Sequence, residues 1–421
     1  KRLNKHMYKK IYFLLDASDK KKFIFIVILM LFAAIMEVLS IGLIVPFVSL
    51  LTDPSFYTNS IFVKKYLPQT LNYSYLGVIQ LFLIFFLIIF ITKLLFMNYL
   101  IYTKNNFLFS FGHKISDKLF KSYITRFYEF HLKNNSSKII NSLQNEITSF
   151  SQNVLLSLLE ITTEIFIFSG LLLLLIFIDP IGCLVLGSTS LIFILLFRFF
   201  TKKNNSYWAF QKQKMDILAI KQIQQGIGGI RDVLIALKEK VFIDLFSKYM
   251  KKSSDVGSKN QTLIDVPRYY MEFLALLLFL IFIFVSIKRD VELVKLIPTL
   301  SLFTAVAFKL LPAVNRIASS LTRLGYSKFI INTIYSEIQY FNSEGFMLHE
   351  KTKHKFEKLP VKECITLQNI SFSYPNSEKK ILDDITLEIK KGETIGIIGK
   401  SGEGKTTFVN LFVGLIKQTN G

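Results

Sequence analysis

Cysteine is nearly absent: Cys183 and Cys364 are the only two among 421 residues and lie 181 positions apart. That excludes a disulfide framework and any thiolate metal site with ligand spacing, and it suits a membrane protein with a cytosolic face. Charged residues are scarce as well, at 19% against 51% hydrophobic, with a mean hydropathy of +0.42. A disordered chain is excluded, and an ordinary soluble globule does not carry this balance. Acids are the scarcer sign, 30 Asp and Glu against 51 Lys and Arg, giving a formal net charge of +21. Such an excess serves either nucleic acid or membrane topology, and its placement decides between them. Phenylalanine is what abounds, with 42 residues mostly inside long apolar runs.

Six stretches are long and apolar enough to cross a hydrocarbon core of ~30 Å, which takes about 20 helical residues. They run near Phe23–Leu51, Leu76–Tyr102, Asn153–Ile178, Ile181–Phe200, Tyr269–Ile287 and Leu293–Leu311. None has the short core and small-residue cleavage site of a signal peptide. Asp179-Pro180 is the tight turn between the third and fourth, and Pro46 and Pro312 are expected near helix ends. Positive charge sorts onto one side. Residues 1–22 carry eight Lys/Arg against two acids, 103–150 seven against three, and 201–268 thirteen against six. The opposite connections hold only Lys64, Lys65, Lys288 and Arg289 as cations. By the positive-inside rule both ends are cytoplasmic. Topology thus accounts for the basic charge, and a nucleic-acid partner is set aside.

The two lysine-rich connections show apolar residues at three-and-four spacing, which predicts membrane helices that continue into the cytoplasm and turn back there. The outer segment Ile61–Leu67 is amphipathic enough to lie on the outer membrane surface, or is a solvated loop. Residues 341–363 turn polar, as in a linker. Short β-like runs follow at Ile365–Phe372, Ile385–Ile389 and Thr394–Ile398, the start of an α/β domain over 364–421. The chain begins at Lys1 and stops at Gly421, and it is read as part of something longer.

Gly399-Lys400-Ser401-Gly402-Glu403-Gly404-Lys405-Thr406 matches the phosphate-binding loop pattern at every fixed position. A strand at Thr394–Ile398 is expected before it and a helix at Thr407–Ile416 after it. Glycines let backbone N–H groups approach phosphate oxygens, and a helix N-terminus adds a favourable field. Lys405 can reach the terminal phosphates of ATP, and the Thr406 hydroxyl can ligate Mg²⁺. Thr407 completes the cofactor-binding set. Tyr374, 25 residues before Gly399, can stack on an adenine; taken alone, Ser373-Tyr374-Pro375 is only a turn.

Six spans, two helical excursions, an aromatic and this loop together resemble the ABC exporter superfamily. The segment Gln225–Val233 resembles its second coupling region, and residues 129–146, around His131-Leu132-Lys133, its first. The resemblance implies an α-helical membrane domain with six transmembrane helices over 1–340, then the N-terminal part of a P-loop nucleotide-binding domain. It also implies a half-transporter that works as a homodimer with ATP between the halves. Val266–Glu272, Leu311–Ile317 and Ile44–Phe47 resemble more narrowly the bacterial flippases of lipid-linked oligosaccharides (PglK type). That likeness implies an anionic polyprenyl-pyrophosphate glycan moved from the inner to the outer leaflet of the bacterial inner membrane. A lipid A, phospholipid, drug or peptide exporter stays open, as does a nucleotide-sensing scaffold without transport. The family's Walker B carboxylates, signature and switch histidine do not occur within residues 1–421, so this stretch alone is expected not to hydrolyse ATP.

Ionisable residues in spans are costly and are functional candidates. Lys93, Lys309 and Arg316 are the basic ones, and Arg268 sits at the cytoplasmic mouth of the fifth span. Lys93 and Lys309 each lie roughly 25 Å from the outer end of their span at ~1.5 Å per residue. Lys309, Arg316 and Arg323 share one helical face. Three readings stand: snorkelling toward headgroups, internal pairing with Glu160, Glu164 or Glu272, and a cationic ladder for an anionic headgroup. In the narrower resemblance, cavity cations hold the pyrophosphate; Arg268 and Arg316 fall in its matching segments, with Lys93 and Lys309 added by depth.

Overall fold

The computed structural model describes residues 2–52, 75–126, 128–178, 180–288, 293–343, 363–374 and 380–421. The amphipathic piece Ile61–Leu67, the cations Lys64, Lys65 and Arg289, Asp179, Pro375 and residues 344–362 of the expected linker lie outside them. The chain divides into two compact units, Lys1–Asp117 with Asn141–Ile338, and Lys118–Ile140 with Gln339–Gly421.

The first unit is helical. Helix α1 covers Arg2–Leu14, α2 Ala17–Gly42 and α3 Ile44–Thr52. The single apolar run expected at Phe23–Leu51 is broken at Leu43. Pro46 supplies the reason, since it has no N–H to return to the Gly42 carbonyl and forces a fresh helical start. Helix α4 spans Tyr75–Ile124, its last residues reaching into the second unit. At 1.5 Å per residue its 50 residues measure roughly 75 Å, far more than a bilayer core. The same holds for α8 (Pro180–Gly228) and α10 (Glu239–Lys288), so the predicted extension of the spans beyond the apolar zone is present. Helix α7 (Leu156–Ile178) precedes α8, α9 (Ile230–Ile235) precedes α10, and α11 (Leu293–Tyr326) and α12 (Lys328–Ser343) follow. Pro312 falls inside α11 rather than near an end, where the helix runs on with one carbonyl deprived of its N–H partner.

Four helical stretches among the described residues are long and apolar enough to cross a membrane: Ala17–Thr52, Leu76–Ile124, Ser136–Phe177 and Gly182–Thr201. Three of them, all but Leu76–Ile124, meet α11 in an apolar core. Ala34 and Ile41 of α2, Leu171 and Leu175 of α7, Leu186 of α8 and Val306 and Leu310 of α11 are all buried there. Their outer faces carry exposed Leu, Ile and Phe, as at Ile84, Leu87, Ile88, Leu94 and Leu95 of α4. Helices apolar all round belong in lipid or against another apolar surface. At the start of α2, Asp19 accepts from the Asp16 N–H at 3.2 Å as part of a capping box. The same two carboxylates grip Lys114 of α4 at 2.9 and 2.7 Å. Burial works against the Lys114 charge, but these two bonds prevail and lift its ammonium above the usual lysine range.

In the second unit, α5 (Tyr128–Lys133) and α6 (Ser136–Asn141) lie in the first expected coupling region. Strands β1 (Cys364–Phe372) and β2 (Leu382–Lys390) pair antiparallel, from Cys364 opposite Lys390 to Phe372 opposite Leu382. The register slips near Asn369 and Asp384, both at φ +50°, and the Asn369 amide donates to Asp384 at 2.8 Å. Residues 394–398, expected as a strand, form none. A strand of that kind is held by neighbours on either side, and among the described residues β1 and β2 pair with each other. The final helix α13 is Lys405–Phe412, earlier at both ends than expected, and the chain returns to β1 through the Ser371 N–H to the Asn420 carbonyl at 3.0 Å.

Candidate functional site

The phosphate loop joins residues 391–403, all exposed, to the N-terminus of α13. Gly402 and Gly404 hold φ +87° and +93°, which side chains other than glycine rarely adopt. A Cβ on Gly404 would come within 3.0 Å of Ile381 Cγ2 and 3.1 Å of its carbonyl oxygen, so glycine lets the loop close onto β2. The Lys405 ammonium donates to the carbonyls of Gly399 and Lys400, each at 2.7 Å, and thereby stands over the loop. Thr406 lies exposed in the first turn of α13. Open backbone, a centred ammonium and a hydroxyl at a helix N-terminus are the donor set a Mg-bound phosphate chain requires, so ATP fits these residues.

Glu403 is among the loop residues expected to hold the cofactor. Its carboxylate accepts from the Lys400 N–H at 2.6 Å and lies against Gly399, where a Cβ would meet it at 2.6 Å. The loop thus carries an anion of its own. Tyr374 is half-buried. Its ring meets Phe372 edge-on at 5.0 Å and packs beside Ile370, Leu382 and Leu411. Its hydroxyl lies 3.2 Å from the buried Thr407 hydroxyl, so Tyr374 and Thr407 are joined to each other at the back of the loop.

Tyr128 of α5 packs against the same β-core. Next to it, Arg126 lies over three rings, Tyr123, Phe130 and Tyr340, at 5.2, 4.3 and 4.2 Å. One guanidinium therefore ties the end of α4, the start of α5 and the end of α12 together. In the second coupling region α8 ends at Gly228, and Gly229 precedes the short α9.

Within the first unit, every cation singled out has a carboxylate. Glu37 of α2, buried, receives Lys93 at 2.7 Å and Lys309 at 2.5 Å, and Lys93 also donates to Ser40 at 2.9 Å. Arg316 chelates the buried Glu164, with Nε on one oxygen and Nη2 on the other at 3.1 Å. Arg323 meets Glu160 at 3.2 Å, and Ser320 donates to the same carboxylate at 2.7 Å. Arg268 pairs with Glu272 one turn along α10 at 2.8 Å. The acids are more enclosed than their cations: Lys309 and Arg316 keep 46% of their side chains accessible, against 4% for Glu37 and 7% for Glu164. Sequence reading missed Glu37, although a lone acid in an apolar run is itself a signal. Glu37 lies 14 residues from either end of Phe23–Leu51, which draws Lys93 and Lys309 toward mid-span and away from the inner boundary.

Residues 382–421 match the ABC transporter family. The chain is 26% identical over 310 residues to a lacticin-481/lactococcin-DR transport/processing ATP-binding protein of Lactococcus lactis subsp. lactis, covering 72% of this chain and 42% of that one. It is 28% identical over 194 residues to an ATP-dependent lipid A-core flippase of Sodalis glossinidius, 45% of this chain and 31% of that one. A subtilin transport ATP-binding protein of Bacillus subtilis matches at 35% over 106 residues, 23% and 17% of the two chains. The chain therefore spans well under half the length of these relatives. The likeness to ABC-type export proteins thus takes in the apolar helices as well as the phosphate loop, and the match to the ABC transporter family lies at the loop.

Proposed function

We propose that the chain belongs to a homodimeric, ATP-driven flippase with six spans per half. It moves an anionic lipid-linked glycan, a polyprenyl-pyrophosphate oligosaccharide, from the cytoplasmic to the outer leaflet of the bacterial inner membrane. One observation carries the substrate class. Lys309, Arg316 and Arg323 descend one face of α11, each on a carboxylate from α2 or α7, and Lys93 shares the single acid of Lys309. Two ammonium groups on one buried carboxylate leave a positive charge uncompensated where lipid offers nothing to balance it. A diphosphate headgroup supplies that balance.

The nucleotide side follows from the loop. Backbone amides of 399–405 and the Lys405 ammonium would hold the phosphates and the Thr406 hydroxyl would hold Mg²⁺, which would supply charge neutralisation at the phosphoryl group. Tyr374 offers its ring for stacking on the adenine. Closure of two such sites is passed to the spans through the packing of Tyr128 and the ring clamp on Arg126. Residues 1–421 alone do not turn over ATP in this reading, and Lys405-dependent hydrolysis by that stretch would contradict it.

Export of a peptide is the second reading, favoured by the likeness to the lacticin-481 protein over 72% of this chain. Reconstituting the complete protein with fluorescent lipid-linked glycans, phospholipids, lipid A and lanthionine peptides separates the two. ATP-dependent protection of the lipid-linked glycan, lost in Arg316→Ala and Arg268→Ala while ATP binding persists, is the expected result. Translocation unchanged in both variants removes the cation row from the mechanism.

A further inference from the structure

The helical extensions beyond the apolar spans line an open cavity of about 880 Å³, bounded by residues 141–153, 209–223, 246–264 and 323–330 of the first unit. All four walls lie at the lysine-rich ends of their spans. Side-chain amides, among them Gln144, Asn145, Gln152 and Gln261, share the lining with apolar residues such as Ile220 and Phe246. Each of its charged side chains is held by a neighbour. Asp216 is met by Lys212 at 2.8 Å and by the Ser253 hydroxyl, and Arg323 is held by Glu160. Glu146 is buried under donors from Asn141, Ser142 and Gln213.

Two observations mark this as more than a packing gap. The wall from 142 to 155 is wound as two π-helical turns, Ser142–Glu146 and Phe150–Leu155. Such turns are rare, cost hydrogen-bond geometry, and concentrate where side chains must be re-aimed. They bring Gln144, Asn145 and Gln152 to the cavity together. Further, Asn260 and Tyr326 are lining residues, and the Asn260 carbonyl oxygen and the Tyr326 hydroxyl are buried with no hydrogen-bond partner among the described residues. Buried polar atoms of this kind are normally satisfied by something.

We propose that this cavity binds a neutral, hydroxyl-rich ligand, a sugar or short oligosaccharide. Amides offer a donor and an acceptor at every position, which suits hydroxyl groups that do both. A wall whose charged groups are already engaged by neighbours discriminates against ions, and the volume lies in the range of small-ligand sites. Arg323, the last member of the cation row, stands at this cavity about 10 Å along α11 from Arg316. A glycan in the cavity and its diphosphate at Arg316 are thus within one molecule's reach. That the sugar arrives attached to a lipid rests on the reading under Proposed function; the sugar site itself does not.

The test uses saturation-transfer NMR on the complete protein in nanodiscs with soluble, lipid-free neutral di- to heptasaccharides. Transfer to at least one of them is expected. Tyr326→Phe, which removes only a hydroxyl, is expected to weaken it severalfold, and Gln144→Leu combined with Gln261→Leu by tenfold or more. No transfer to any saccharide, equal transfer in all variants, or transfer only to an unglycosylated peptide overturns the proposal. The same preparations are scored for ATP-dependent flipping of lipid-linked glycan. Cavity-dependent sugar binding without flipping leaves this site standing and refutes the transport reading. Flipping without cavity-dependent binding does the reverse.

Discussion

Glu403 offers the sharpest test of how the nucleotide loop works. A phosphate oxygen approaching the loop needs the Lys400 N–H, and that donor is engaged by the Glu403 carboxylate at 2.6 Å. Binding therefore has to displace an internal anion before it gains anything. A charge-assisted bond at an exposed site is worth about 1–2 kcal/mol net, and repulsion between carboxylate and triphosphate adds about 1 kcal/mol at the dielectric of water. Since 1.4 kcal/mol is a factor of ten, the two together predict that Glu403→Ala tightens MgATP binding by about 30- to 140-fold. Glu403→Gln keeps an acceptor but loses the charge, and falls between the two. Displacement of a fluorescent nucleotide from the purified complete protein, at low and high salt, measures both parts. The repulsive share shrinks with ionic strength and the hydrogen-bond share persists. An affinity in Glu403→Ala equal to or weaker than wild type refutes the displacement argument, provided Lys405→Ala abolishes binding in the same assay.

Glu164→Gln strips the buried partner from Arg316 and is expected to cost about 3 kcal/mol, seen as a lower midpoint in detergent melts; adding Arg316→Gln restores part of it, and a double variant no better than the single one defeats the pairing argument. Arg126→Ala removes three ring contacts, each worth about 0.5–1 kcal/mol, and is expected to leave basal ATPase in place while lowering transport per ATP; parallel losses of both would deny it a linking role. Burial first, then the nearby Asp216 charge, pushes the Tyr326 phenol above its usual range. A raised pKa contributes stability that is whole below about pH 10 and drains away as pH climbs toward the folded value, so Tyr326→Phe is expected to flatten the alkaline loss in melts between pH 9 and 11.

What could be read along the chain was whatever is written locally. The loop at 399–406 is set by glycine positions and one lysine, and its positive φ angles and the helix from Lys405 follow from that spacing. Apolar runs and lysine-rich connections likewise declare spans and extensions residue by residue. What escaped was everything that depends on a partner across helices. Glu37 means little until α4 and α11 bring Lys93 and Lys309 to it. Thr394–Ile398 reads as a strand by composition, yet a strand exists only where a neighbour bonds it. The π turns at 142–155 have no residue signature at all, because a widened turn reflects what the wall must face.

The ion pairs on α11 bear on why a cation row suits transport. Free lysines and arginines at membrane depth would cost several kcal/mol each, and the half would not fold around them. Each cation here is instead stabilised by an acid that is nearly enclosed, while its own side chain keeps an open flank. An arriving anion need not evict the carboxylate; it can add to the exposed flank of Lys309 or Arg316 and share the charge. The interaction is then weak enough to release on the far side, and one too strong would trap the headgroup. Replacing Glu37 by Gln upsets that balance in a definite direction: two lysines lose their common acid, the anion is held more tightly, and release becomes the slow step. Tighter headgroup binding together with slower turnover in Glu37→Gln is the result this balance requires, and weaker binding would mean that Glu37 shapes the site without tuning its charge.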